Sequence, residues 1–99
     1  KKKIENFIKL NSKNHIAIYG AGIHTIYLKN LMKKNFNIID YLIDGNIKKI
    51  NSKFLNKKIV SLSTLSNKKF AIIISSQAFE KEISNKLKKK GFSSLKLYN

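Results

Sequence analysis

The stretch Ile16-Ala17-Ile18-Tyr19-Gly20-Ala21-Gly22-Ile23-His24-Thr25 constrains the fold more than any other part of the chain. A short apolar run enters Gly-x-Gly, and a helical pattern of apolar residues follows at once. A strand that turns straight into a helix leaves the first N–H groups of that helix without intrahelical acceptors, and such groups attract anions. Glycine at the turn permits a tight bend and lets a phosphate come close to the main chain. The stretch therefore points to a phosphate- or nucleotide-binding surface, and to no particular reaction.

Read from its start, the chain opens with Ile4, Phe7 and Ile8 at i, i+3, i+4 among lysines. Residues 1–14 are expected to form an amphipathic helix or a linker ahead of one domain over 15–99. Ile16–Tyr19 is apolar on both faces, as a parallel strand covered by helices requires. Ile23, Ile26, Tyr27, Leu28, Leu31 and Met32 span a wide apolar arc, which predicts a largely buried helix ending near Lys34. Phe36–Ile43 reads as a second strand, with Asp40 early in it and near a sheet edge, closing on Asp44-Gly45. Asn46–Lys58 reads as a long surface connection anchored by Ile47, Ile50, Phe54 and Leu55. Ile59-Val60 is a third strand, Ser61 to Leu65 a helical turn, and Phe70–Ile74 a fourth strand rich in β-branched residues.

Phe79, Ile83 and Leu87 recur at i, i+4, i+8 and mark the last helix. Glu80 and Glu82 at its start and Lys88–Lys90 at its end suit the helix dipole, and Glu82 is spaced to pair with Lys86. Gly91 falls at the left-handed stop position, with Phe92 placed to touch Leu87. Leu95–Tyr98 would be a fifth strand. This succession gives an α/β domain with a mainly parallel sheet of about five strands, in the order 3-2-1-4-5 under right-handed crossovers. Strands one and four are then neighbours, so the loops at Gly20–Thr25 and Ser75–Gln77 face one crevice at the switch point of the sheet.

Candidate contacts follow from that placement. Gly20, Ala21, Gly22, Ile23, His24 and Thr25 form the phosphate-holding turn. Thr25 stands where the dinucleotide fingerprint has its third glycine, and its hydroxyl can meet a phosphate. His24 in the first helical turn can donate to a phosphate or contact a sugar, against the plainer reading of a surface histidine. Asp44, 24 residues after Gly20, lies near the spacing for an acid that accepts from ribose hydroxyls. An Asp before Gly45 is equally a turn-capping residue. Ser75 and Ser76 form the far wall, or cap the helix that follows. His15 lies at the other end of the sheet and is structural. The sequence assembles no nucleophile set, no carboxylate pair for acid–base work and no metal cluster, so a non-catalytic domain is expected.

The net charge of +16 suggests polyanions, yet all 21 basic residues are Lys, and Arg supplies the fork that reads phosphates and guanine edges. The lysines are spread over the whole chain without aromatic interleaving. Abundant Lys, Asn, Ile, Phe and Tyr beside scarce Gly, Ala, Pro and Arg reflects A/T-rich codons. A solvated lysine coat is the reading taken, and nucleic acid is disfavoured as partner. Absence of Cys excludes disulfides and thiolate metal sites. The longest strongly apolar run, Phe70–Ile74, is too short to span a bilayer, so no membrane span is expected and the cytoplasm is the default location.

Three segments carry a family resemblance: Ile18-Tyr19-Gly20-Ala21-Gly22-Ile23-His24-Thr25, then Tyr41-Leu42-Ile43-Asp44, then Ile73-Ile74-Ser75-Ser76-Gln77-Ala78-Phe79-Glu80-Lys81-Glu82-Ile83. They are similar to Rossmann-like domains of bacterial polysaccharide-modifying proteins, over about residues 15–98. The resemblance implies a Rossmann-like three-layer fold that binds a nucleotide or nucleotide-sugar, with NAD(P) or a nucleotide-sugar as the cofactor class. It further implies a neighbouring catalytic domain in the same chain, such as a methyltransferase or glycosyltransferase, rather than independent catalysis. The alternatives are the cofactor half of an NAD(P)-dependent oxidoreductase or epimerase, a basic nucleic-acid-binding module, and an assembly domain, homo-oligomeric or not, whose glycine turn is empty.

Overall fold

The computed structural model describes residues 2–98. The chain lays down α1 (Lys2–Leu10), β1 (His15–Tyr19), α2 (Ile23–Met32), β2 (Ile39–Ile43), β3 (Lys53–Phe54), β4 (Lys57–Val60), β5 (Phe70–Ile74), α3 (Glu80–Lys89) and β6 (Ser93–Leu95). The strands form one sheet in the order β3-β4-β2-β1-β5-β6. β3 runs antiparallel to β4, and all other neighbours are parallel. The sheet thus has six strands rather than five, and its order differs from the expected one by an edge strand outside β4. The last strand lies at Ser93–Leu95 instead of Leu95–Tyr98.

Alternate residues of each strand point to opposite faces, and both faces are covered. On one, Ile16, Ile18, Leu42, Ala71 and Ile73 pack with Ile4 and Phe7 of α1, Leu28 and Met32 of α2, and Phe36. On the other, Ala17, Ile43, Val60, Ile72 and Ile74 pack with Leu87 of α3. Each of the larger side chains, Ile, Leu, Val, Phe or Met, stabilises the fold by about 1.5–3 kcal/mol relative to exposure. This two-sided burial is why β1 and β5 read as unbroken apolar runs.

The second strand starts later than its composition suggests. α2 stops at Met32 because Lys33 takes a φ of 53°, and Lys33–Ile38 then forms a 3-10 helical turn that delivers Phe36 to the core. Asp40 is a bulge, not an edge residue: Ile16 lies opposite Ile39 but Ala17 opposite Tyr41, so β2 carries one extra residue there. β2 sits inside the sheet between β4 and β1. The bulged carboxylate escapes to solvent and meets His15 Nδ1 at 2.7 Å. The extra residue also resets the alternation, so that Ile39 and Leu42 face one core while Tyr41 and Ile43 face the other.

The connection over 46–58 contains the β3–β4 hairpin. Its two-residue turn places Leu55 at φ 51° and Asn56 at φ 67°, the pair of positive values that matches hairpin twist. Ile50, Phe54 and Leu55 pack on the core, whereas Ile47 is exposed.

Two helices bury only part of the faces expected: Leu28, Leu31 and Met32 of α2 and Ile83 and Leu87 of α3 pack on the core, but their neighbours differ. In α2 the buried stripe is Thr25, Leu28 and Met32, while Ile23 (86% exposed), Tyr27 (58% exposed) and Ile26 face outward. Phe79 precedes α3 and is 60% exposed; Glu80 goes inside in its place. Lys86 donates to the Tyr19 hydroxyl at 3.0 Å rather than pairing with Glu82. α3 ends with Gly91 at φ 81°, the Phe92 N–H donating to Leu87 O and the Gly91 N–H to Lys88 O, each at 3.0 Å. Those two bonds satisfy carbonyls that a helix end otherwise leaves open.

Candidate functional site

The site lies where β1 and β5 end side by side. Gly20 has a φ of 130°, and a Cβ on it would stand 2.7 Å from the Ser75 carbonyl oxygen. The Gly20 N–H donates to Ile43 O at 2.7 Å, so the turn is tied to the strands on both sides. Gly20 is therefore demanded by the approach of one strand end to another, without any ligand. Gly22 differs. Its φ of −133° is open to any residue, and a Cβ there would meet nothing within 4 Å. It forms the N-cap of α2 without a side-chain cap, so the Ile23 and His24 N–H groups of the first turn have no intrahelical acceptor and no capping side chain. Ala21 between the glycines is buried.

Behind the turn runs a chain of polar contacts. Thr25 Oγ1 donates to Gly20 O at 2.9 Å and lies 2.9 Å from Ser75 Oγ. Ser75 Oγ lies 2.9 Å from His24 Nδ1, and His24 Nε2 meets the Tyr98 hydroxyl. The N–H groups of Leu97 and Tyr98 donate to one carboxylate oxygen of Glu80, at 2.6 and 3.0 Å. Glu80 is only 1% exposed. The hydroxyls of Thr25 and Ser75 are thus directed inward, locking the base of the turn, and the exposed edge of His24 is covered by Tyr98. Ser76 Oγ accepts from the Phe79 N–H at 3.1 Å, capping the approach to α3.

Across the mouth lies a cation that the sequence did not single out. Lys49 Nζ donates to Ala21 O at 3.2 Å and stands 3.6 Å from Asp44 Oδ2. Asp44 Oδ1 accepts the Asn46 N–H at 2.9 Å, so this carboxylate closes its own turn and holds Lys49 over the glycine bend. Lys49 is half exposed, and its pairing contributes little to stability; its charge matters for what approaches the turn. Nothing in the spacing distinguished it from its lysine neighbours. Exposed Ile23, Tyr27, Ile47 and Phe79 add apolar surface on the segments that follow β1, β2 and β5.

The structure therefore brings Gly20 to Thr25 together with Ser75, places Asp44 nearby through Lys49, and adds Glu80, Tyr98 and Lys49. Among the described residues no group of three His, Asp or Glu side chains could hold a metal ion, and no helix is long and apolar enough to cross a membrane. His15 stands at the far end of β1, against Phe70 and Asp40.

These features define a small α/β domain with a glycine turn at the carboxyl end of a mostly parallel sheet. The chain belongs to the family described as C2185-like, N-terminal, whose model matches residues 12–98. No curated protein and no solved structure matches it.

Proposed function

We propose that this chain is a Rossmann-like accessory domain that binds a nucleotide or nucleotide-sugar within a larger bacterial enzyme of surface-polysaccharide or sugar modification. The observation that supports it most is the open space at Gly22. Neither its backbone angles nor its neighbours require glycine, yet the head of α2 is left bare there, with the Lys49 cation hydrogen-bonded to the preceding residue. A phosphate seated against the Ile23 and His24 N–H groups would gain hydrogen bonds from the helix terminus and attraction from Lys49. Asp44, Ser75 and Ser76 border that seat, and the apolar side chains of Ile23, Ile47 and Phe79 offer surface for a base or sugar ring. The domain has no catalytic set of its own in this reading, and the family description as an N-terminal unit agrees with a partner domain in the same protein. Its place is cytoplasmic, where nucleotide-sugars are used as donors. NAD(P) is the competing ligand, in which case the parent protein is an oxidoreductase or epimerase.

Calorimetric titration with UDP-glucose, UDP, NAD and NADP at physiological salt tests the proposal. Binding by the wild type, reduced at least tenfold in Gly22→Val while the melting temperature holds within a few degrees, is the expected result. No binding of any of the four at millimolar concentration refutes it. The exposed Ile23, Tyr27 and Phe79 favour a second reading, a contact surface for a neighbouring domain. The net charge of +16 opposes self-association, so sedimentation at low salt should show a monomer.

A further inference from the structure

The polar chain behind the glycine turn has only one consistent assignment of protons when His24 is neutral. The Thr25 hydroxyl has a single proton and gives it to Gly20 O, a carbonyl that can only accept. The contact between Thr25 and Ser75 then takes its proton from Ser75. Ser75 Oγ, having given its own proton, accepts from His24, so the imidazole carries its proton on Nδ1. Nε2 is left as an acceptor, and the Tyr98 hydroxyl donates to it. The direction of every bond is set from the buried end, at Gly20 O, outward to the exposed edge of His24.

From this we infer that the imidazole of His24 is the site's acceptor for a hydroxyl group, the phosphate being left to the main-chain N–H groups, and that Tyr98 occupies its Nε2 until a ribose or hexose hydroxyl of the ligand takes the phenol's place. Deepening the nucleotide-sugar reading, this inference rests on it for the identity of the ligand. A phosphate oxygen is itself an acceptor and gains nothing from an unprotonated Nε2, whereas a sugar hydroxyl reproduces the bond that Tyr98 makes. The inner partner, Ser75, is buried and shared with Thr25, so it does not yield. The outer partner, Tyr98, is 41% exposed. Glu80 is the positioning residue: by holding the N–H groups of Leu97 and Tyr98 it presents the phenol to His24.

Two measurements on the 99-residue chain decide the matter. Long-range proton–nitrogen correlation spectra of the wild type, recorded above the titration range of histidine, should show His24 protonated on Nδ1 alone. A proton on Nε2 overturns the inference even if nucleotides bind. Tyr98→Phe, which removes the competing hydroxyl and keeps the ring, should bind UDP-glucose roughly three- to tenfold more tightly than the wild type, as loss of one rival hydrogen bond implies. Its affinity for inorganic pyrophosphate should not change. Equal UDP-glucose affinity in the two proteins, or an equal gain for pyrophosphate, overturns the role of His24 and leaves nucleotide binding standing. Failure of both proteins to bind UDP-glucose removes the nucleotide-sugar reading and this inference with it, whatever the tautomer.

Discussion

Replacing Gly20 with alanine probes the close approach of β1 and β5 that builds the site. The new Cβ would stand 2.7 Å from the Ser75 carbonyl oxygen and 3.3 Å from Ser75 Cβ, on a backbone at φ 130°. Ser75 has little freedom to retreat, since its N–H donates to Tyr19 O at 2.9 Å and its hydroxyl lies 2.9 Å from both Thr25 Oγ1 and His24 Nδ1. Backbone strain of this kind is worth about 1–3 kcal/mol, and forcing two main-chain segments apart adds to it, so a loss of about 2–4 kcal/mol is expected. For a domain of this length that corresponds to a fall of roughly 10–25 °C in melting temperature. Gly22→Ala is the control. It meets no neighbour, its φ is ordinary, and it should change stability by less than about 1 kcal/mol. Thermal melts of both variants by circular dichroism suffice. A Gly20→Ala protein that melts within about 3 °C of the wild type, or a Gly22→Ala protein damaged as badly, would falsify the description of the turn.

Other substitutions follow from the same contacts. Thr25→Val keeps the volume but takes the hydroxyl donor from Gly20 O and the acceptor from the Ser75 hydroxyl proton, and should lower stability by about 1–3 kcal/mol in urea denaturation. Glu80→Ala removes the acceptor for two N–H groups and should cost about 1.5–3 kcal/mol, with amide exchange accelerated at Leu97 and Tyr98. Leu87→Ala, at a fully buried position, should cost about 2–5 kcal/mol, whereas Phe79→Ala should change stability by less than about 0.5 kcal/mol despite sharing the same periodic stripe.

Much of the sheet was legible because its signals are local. β1 and β5 announce themselves as unbroken apolar runs, and Gly91 with Phe92 spells out the end of α3 within a few residues. What the sequence concealed depends on partners distant in the chain. Asp40 looks like a defect in a strand until the register with β1 shows it to be the extra residue of a bulge, paired with His15. Glu80 carries the sign expected at a helix start, and only the return of the chain at Leu97 and Tyr98 explains why it is buried. The β3–β4 hairpin escaped notice because Leu55 and Asn56 adopt angles for which glycine is the usual signal. In α2, periodicity gave the helix but not the width of its buried face, since the underlying sheet covers only the stripe through Thr25, Leu28 and Met32. The glycine turn was readable as a turn. That Gly20 serves the meeting of two strands while Gly22 faces open space is a distinction that no spacing rule contains.

The proposed seat for a nucleotide is the head of α2. An amide-correlation titration of the isotopically labelled chain with UDP-glucose at physiological salt tests it residue by residue. Saturable shifts confined to Gly20–Thr25, the Asp44–Lys49 segment, Ser75, Ser76 and Tyr98 are the expected result. Shifts absent at millimolar ligand, or scattered over the lysine-rich faces of α1 and α3 and abolished by added salt, would contradict it.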